Sequence, residues 1–146
     1  MANDDHFRKL ENMYHHAPCN TYYQPTLTIS EGAAEWVLSV RPEFFHAAGA
    51  VHGSVYFKGL DDSAFFAANS LVEDVFVLTV QFTVYLTRPI TSGEMRASAQ
   101  VVSRSQNLII AEAVLRDSDN REIGRGSGSF MRSKIALTLE IGYRLP

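Results

Sequence analysis

Residues 53 to 70 carry Val55, Tyr56, Phe57, Leu60, Ala64, Phe65, Phe66, Ala67 and Ala68, and on a helical wheel these apolar side chains occupy nearly the whole circumference. A helix of that length is a rod of about 25 Å. Lacking a polar face to turn toward water, it must be enclosed by the rest of the fold. The chain has 146 residues and a mass of 16.3 kDa, and a folded monomer of that size buries about two-thirds of the surface its unfolded chain exposes. The material for enclosure is present, but there is no room for a substrate domain beside a cofactor domain. The expected organisation is one domain over residues 1–146, with 1–22 as an N-terminal helical extension and 134–146 as a C-terminal tail.

The enclosing elements are legible as strands. Residues 75 to 87 alternate, with Phe76, Leu78, Val80, Phe82, Val84 and Leu86 on one face and Thr79, Gln81, Thr83, Tyr85 and Thr87 on the other, before Arg88-Pro89 stops the run. Residues 94–103, 107–117 and 121–132 read as three more long strands, separated by turn chemistry at Arg104-Ser105-Gln106 and Ser118-Asp119-Asn120. Upstream, residues 25–30 and 33–41 form a hairpin through Ser30-Glu31-Gly32, ended by Arg41-Pro42. Phe7, Leu10, Met13 and Tyr14 predict a short amphipathic helix over 5–16, capped by Asp4 or Asp5. The expected fold is α+β, a long curved antiparallel sheet wrapped around one central apolar helix. Gly124, Gly126 and Gly128 share one face of the last strand, where they either let the sheet curl past the helix or admit a close backbone or ligand.

Composition removes several function classes. Thirteen Lys and Arg against sixteen Asp and Glu give a net charge of −3, with no block of like charge, so the basic footprint that nucleic acid requires is missing. The single Cys19 excludes an intrachain disulfide, a zinc ribbon or an iron–sulfur cage, and has no flanking cation to make it a nucleophile. His15-His16 have no third partner at metal-ligand spacing, so no metal is expected. Neither a membrane-length apolar run nor a signal-peptide pattern is present, which predicts a cytoplasmic protein with no membrane partner.

Two carboxylates interrupt the apolar helix. Asp62 falls four residues after Lys58 and seven before Asn69, on a polar stripe where it forms an ion pair. Asp61 shares its side with Phe57, Ala64, Phe65 and Ala68 and has no partner in sight. Such a site raises a carboxyl pKa toward the range useful to a general base. The alternative is that Asp61 bonds a backbone group of the sheet. His52-Gly53-Ser54 opens the same helix, where free N–H groups and the positive dipole end suit a developing oxyanion. Eight residues of helix separate Gly53 from Asp61 by roughly 12 Å. Base and oxyanion donor must each come within about 3 Å of one carbonyl. If both act, the site is assembled from two copies related by a two-fold axis.

The stretch His52-Gly53-Ser54-Val-Tyr-Phe-Lys-Gly-Leu-Asp61-Asp-Ser-Ala, the later Ala67-Ala-Asn69-Ser70 and the strand closing on Arg88-Pro89 resemble the hotdog-fold acyl-CoA thioesterases of the phenylacetate-pathway (PaaI-like) type. The resemblance covers roughly residues 25 to 133. It implies that Asp61 is the catalytic carboxylate that activates water or itself attacks the thioester, Gly53 the N–H that binds the carbonyl oxygen, Thr79 a hydroxyl that orients water, and His52 a positioning group. Two positions depart from the pattern: Ser54 replaces a second glycine, and His46, six residues before His52, replaces an Asn that contacts thioester or water. Substrate contacts are expected at His46, Ser54 and Phe65 and at the strand-end cations Arg88 and Arg132, with Lys134 beside them; solvated rim charges are the alternative for the cations.

The function implied is hydrolysis of an acyl- or aryl-acyl-CoA to free acid and coenzyme A. It needs no cofactor beyond the coenzyme A of the substrate and works as a homodimer or homotetramer with the site at the subunit interface. His46 motivates an alternative, a non-catalytic acyl-CoA-binding module. A further one is an enoyl or hydroxyacyl thioester hydratase or dehydratase using His52 and Asp61. Phe57, Phe65, Phe66 and Tyr85 suit an aryl-acetyl group, a medium aliphatic chain or plain core packing.

Overall fold

The computed structural model describes residues 3–146. The first two residues of the amino terminus read above for signal-peptide features lie outside them. In chain order the elements are α1 (Asp4–His16), α2 (Pro18–Tyr23), β1 (Thr26–Ser30), β2 (Ala33–Ser39), a 3-10 turn at Pro42–Phe44, α3 (Gly53–Asn69), β3 (Val75–Leu86), β4 (Glu94–Arg104), β5 (Ile109–Arg116), β6 (Glu122–Ala136) and a 3-10 turn at Leu139–Ile141. The six strands form one sheet in the order β1-β2-β4-β5-β6-β3, with every neighbouring pair antiparallel.

The sheet wraps α3 as its composition demands. Leu60, Ala64, Ala67 and Ala68 are fully buried, and so are Trp36, Met95, Ala97, Ala111, Leu115, Ile123 and Phe130 of the strands around them. Helix and sheet are in close contact at Gly59, where a Cβ would sit 2.4 Å from Cζ3 of Trp36. The Trp36 ring cannot yield easily, because its Nε1–H donates to the Tyr14 hydroxyl at 2.8 Å.

Several expectations need correcting. The cap of α1 is Asn3, whose side-chain oxygen accepts from the His6 N–H, while Asp4 and Asp5 sit in the first turn beside the positive dipole end. A second short helix, α2, follows α1, with Pro18 at its first position and Gln24 in the left-handed region at its end. β6 continues to Ala136, so the expected tail begins as strand. Asn69 does not join Lys58 and Asp62 on a polar stripe. It is fully buried. Its amide donates to the Val72 and Val75 carbonyls and its oxygen accepts from the Val77 N–H at 2.9 Å, which fixes where β3 starts.

The largest difference lies in β3. Its pairing with β6 slips between Thr79 and Gln81, so Val80 is an extra residue and the alternation of faces inverts there. Val77 and Thr79 face α3 before the bulge and Phe82 and Val84 after it, while Leu78, Val80 and Leu86 are about half exposed. The glycines of β6 serve this arrangement. A Cβ on Gly126 or Gly128 would lie 2.4 Å from the Phe82 ring, which packs across the strand where they lack side chains.

Gly59→Ala tests the helix–sheet contact. Alanine favours a helix over glycine by about 1 kcal/mol, but overpacking against a pinned indole costs about 1–3 kcal/mol. The urea midpoint is therefore expected to fall. A midpoint equal to or above wild type would show that Trp36 does not set the spacing.

Candidate active site

Burial and periodicity placed two adjacent carboxylates on different sides of α3, and the fold gives them different surroundings. Asp62 accepts from Lys58 Nζ at 2.9 Å and from the Tyr14 hydroxyl at 2.5 Å. Lys58 also lies over the rings of Tyr14 and Tyr23. Burial, with Asp62 beside it, holds the Tyr14 hydroxyl well above its ordinary pKa, so it stays a donor. The expected Lys58–Asp62 pair is present, and its task is to fasten α1 and α2 onto α3.

Asp61 lines a pocket of about 220 Å³ together with Thr79, Phe65, Phe66, Phe76 and Met13. Burial pushes its carboxyl up to about 6, Asp62 adding to the rise, against a hydrogen bond from Thr79 and the charge of Lys58, which lower it. The Thr79 hydroxyl donates to Oδ1 at 2.9 Å. The partner of Asp61 is therefore a side chain rather than a backbone group of the sheet, and the Val80 bulge is what turns Thr79 inward.

The amino-terminal helices form part of this pocket through Met13, Tyr14, Ala17, Cys19 and Asn20. No sequence signal assigned them there, because their contact with α3 joins residues far apart in the chain, 39 positions for Cys19 and Lys58 and 48 for Tyr14 and Asp62. The Lys58 ammonium lies 3.9 Å from Cys19 Sγ, so the thiol does have a neighbouring cation, supplied in space rather than along the chain. His15 and His16 are engaged locally, Nε2 of His15 accepting from the Leu27 N–H and Nδ1 of His16 donating to the Asn12 carbonyl. Burial lowers the pKa of His15.

The start of α3 lies outside the pocket. His52 is the cap: its Nδ1 accepts from the Ser54 N–H at 3.0 Å and lies 2.8 Å from the Ser54 hydroxyl. An accepting Nδ1 places the ring proton on Nε2, which suits a positioning donor better than a base. Val55 N–H returns to the His52 carbonyl, whereas the Gly53 N–H donates to no group among the described residues. A Cβ on Gly53 would lie 2.9 Å from Cδ1 of Leu86, so the helix start sits at the far end of β3 from Thr79.

His46 is exposed, and its Nδ1 accepts from the Ala48 N–H within its own turn. Arg88 is exposed and its carbonyl accepts from Tyr56. Arg132 pairs with Asp74 at 2.6 Å on the surface. Of the expected site residues one chain thus brings together Asp61, Thr79 and Phe65, and leaves Gly53, His52, Ser54, His46, Arg88 and Arg132 elsewhere.

The family model described as "Thioesterase superfamily" matches residues 48–123, more than half of the chain, spanning α3 and its carboxylates. The chain belongs to the thioesterase superfamily. The expected hotdog fold is confirmed by solved structures. The PaaI protein of the phenylacetic acid degradation operon of Escherichia coli superposes with a TM-score of 0.84 at 18% identity, over 92% of this chain and 98% of that one. A thioesterase family protein from Silicibacter pomeroyi gives 0.78 at 25% identity, over 85% and 95%. A thioesterase from Haemophilus influenzae gives 0.75 at 16%, over 82% and 85%. No curated protein matches. This thioesterase is a thioester hydrolase, and the non-catalytic and hydratase alternatives are set aside. No helix among the described residues is long and apolar enough to cross a membrane.

The raised carboxyl makes a stability prediction. The folded pKa of about 6 exceeds the ordinary 3.8, so protonated Asp61 contributes stability that is fully present below pH 3.8 and lost as pH rises through about 6. The isosteric Asp61→Asn is uncharged at every pH and keeps an acceptor for Thr79. At pH 8 it is expected to unfold at higher temperature than wild type, by up to about 3 kcal/mol in free energy, with the advantage gone near pH 4. Equal melting temperatures at pH 8 would contradict a desolvated carboxylate.

Proposed function

We propose that this thioesterase hydrolyses the thioester of an acyl-CoA, releasing the free acid and coenzyme A, in the cytoplasm, with no metal or organic cofactor. The observation that carries the reading is a carboxyl with a pKa of about 6, bonded by Thr79 and facing an apolar pocket. Thr79 engages Oδ1, and Oδ2 takes the proton of a water as its oxygen attacks the thioester carbon. The carbonyl oxygen becomes an oxyanion and accepts from an N–H at a helix start. The carbon–sulfur bond then breaks, and the proton held by Asp61 passes to the departing coenzyme A sulfur.

The oxyanion donor comes from a second copy in this reading. Gly53 of the same chain stands at the Leu86 end of β3 and Asp61 at the Thr79 end. β3 is an edge strand whose Leu78, Val80, Tyr85 and Leu86 are exposed, an apolar edge that a solitary chain would be expected to blunt. Antiparallel pairing of two such edges near Phe82 lays the Leu86 end of one beside the Thr79 end of the other. Gly53 of the partner subunit then approaches Asp61, with the dipole of its helix behind it. His52 holds that helix start in shape through Ser54, His46 stands in the loop leading to it, and Arg88 and Arg132 are surface cations available to coenzyme A phosphates.

Free thiol released from acetyl-, butyryl-, decanoyl- and phenylacetyl-CoA measures the reaction. Asp61→Asn is expected to lower kcat/KM at least about 100-fold, within the usual range for loss of a general base. Full activity in the variant would remove Asp61 from the mechanism, and turnover of none of the four substrates would overturn the acyl-CoA assignment.

The pH profile gives a second test. The base must be ionised, so kcat/KM is expected to climb through about pH 6 and level off above it. A profile flat from pH 5 to 8 would contradict that assignment.

A further inference from the structure

The pocket over Asp61 borders another. Met13, Ala17 and Phe76 line it and also line a second cleft of about 560 Å³, whose far side is formed by Ile135, Leu139 and Ile141 of the carboxy-terminal segment. Phe76 therefore stands between a small chamber holding the carboxylate and a larger one beyond. His16, Glu140 and Arg144 are the ionisable members of the larger cleft, and the rest of its lining is apolar.

The outer wall is built rather than draped. Gly142 adopts φ +93° and its carbonyl accepts from the Asn12 side chain. A Cβ there would meet the Met13 backbone at 3.3 Å, so the tail lies flush against α1. Tyr143 reaches the buried His6, whose Nδ1 lies 2.7 Å from the Tyr143 hydroxyl and whose Nε2 lies 3.0 Å from the Asn69 carbonyl. That carbonyl can only accept, so Nε2 carries the proton and Nδ1 accepts from Tyr143. One histidine thus ties the tail, α1 and the end of α3 into a single wall.

We propose that this second cleft receives the distal part of a flexible aliphatic acyl chain, so that the enzyme selects medium to long unbranched acyl groups over short or compact aryl ones. The inference rests on the acyl-CoA reading above. Its occupant follows from the shared wall of Met13, Ala17 and Phe76: a flexible chain whose thioester lies at Asp61 and which extends past Phe76 meets apolar surroundings, whereas an aryl-acetyl group ends in the first chamber. Burying each methylene is worth up to about fourfold in binding.

Two measurements test it with wild type, Ile135→Asp, Leu139→Asp and Leu139→Met. Both positions are about half or more exposed, at 48% and 67%, so the charge does not enter the core. One measurement is kcat/KM for butyryl-CoA and decanoyl-CoA. The other is calorimetric binding of the non-hydrolysable thioethers S-butyl-CoA and S-decyl-CoA. Wild type is expected to favour the ten-carbon member at least tenfold in both, each Asp variant to cut that ratio at least fivefold, and Leu139→Met to keep it. A flat chain-length profile in wild type overturns the inference. So does a ratio untouched by both Asp variants, including the case where they alter only the oligomer mass seen by sedimentation, which would make the cleft an interface between copies. If no acyl-CoA turns over but the S-decyl preference is present and lost in the Asp variants, the hydrolysis reading falls and the cleft stands. Butyryl-CoA turnover with a flat profile gives the converse.

Discussion

Everything in this molecule follows from the need to enclose α3. A helix apolar nearly all round cannot sit on a surface, and the six-stranded sheet covers it from Trp36 on one side to Phe130 on the other. The remaining side is closed by α1, whose Tyr14 packs edge-on against Phe66 at 5.1 Å between ring centres. Enclosure on that side is what desolvates Asp61. The same packing that stabilises the helix thus raises the proton affinity of the one carboxylate left facing the apolar space.

Adjacent aspartates show how surroundings assign roles. Asp62 has a lysine and a tyrosine hydroxyl within hydrogen-bond reach, so its charge is matched and it serves as a fastening point. Asp61 has one neutral hydroxyl, too little to offset burial, and its carboxyl moves up to about 6. A residue one position further along a helix turns by about 100°. That rotation separates a structural carboxylate from one fit to move a proton near neutral pH. The division suits thioester chemistry, where a proton leaves water and later reaches sulfur with no metal in the proposed path.

Much of the fold was legible because its periods are local. Alternation over 94–103 and 121–132, the turn chemistry at Asp119-Asn120 and the all-round apolarity of 53–70 each report burial of a residue against its own neighbours. The separation of Gly53 from Asp61 was equally legible, since helix rise alone fixes it. Two kinds of feature were not. The Val80 bulge shifts every later residue of β3 to the other face, and no residue type there announces it. Asn69 reads as polar and therefore exposed, yet its amide is consumed by the Val72 carbonyl and by two backbone groups of the strand that begins six residues later.

By itself the sequence determined that a sheet must wrap one helix, that Asp61 would be desolvated on it, and that a single copy holds base and oxyanion donor too far apart to meet on one carbonyl. These depend on residue spacing and on the insolubility of apolar surface, which are properties of short segments. Only the tertiary structure decided that Thr79 faces Asp61, that Met13 and Ala17 line the pocket of the carboxylate, and that Ile135 and Leu139 line a second cleft beside it. Those contacts join segments 18 to over 120 residues apart in a chain of 146. Their energy comes from fit between surfaces, which no local pattern encodes.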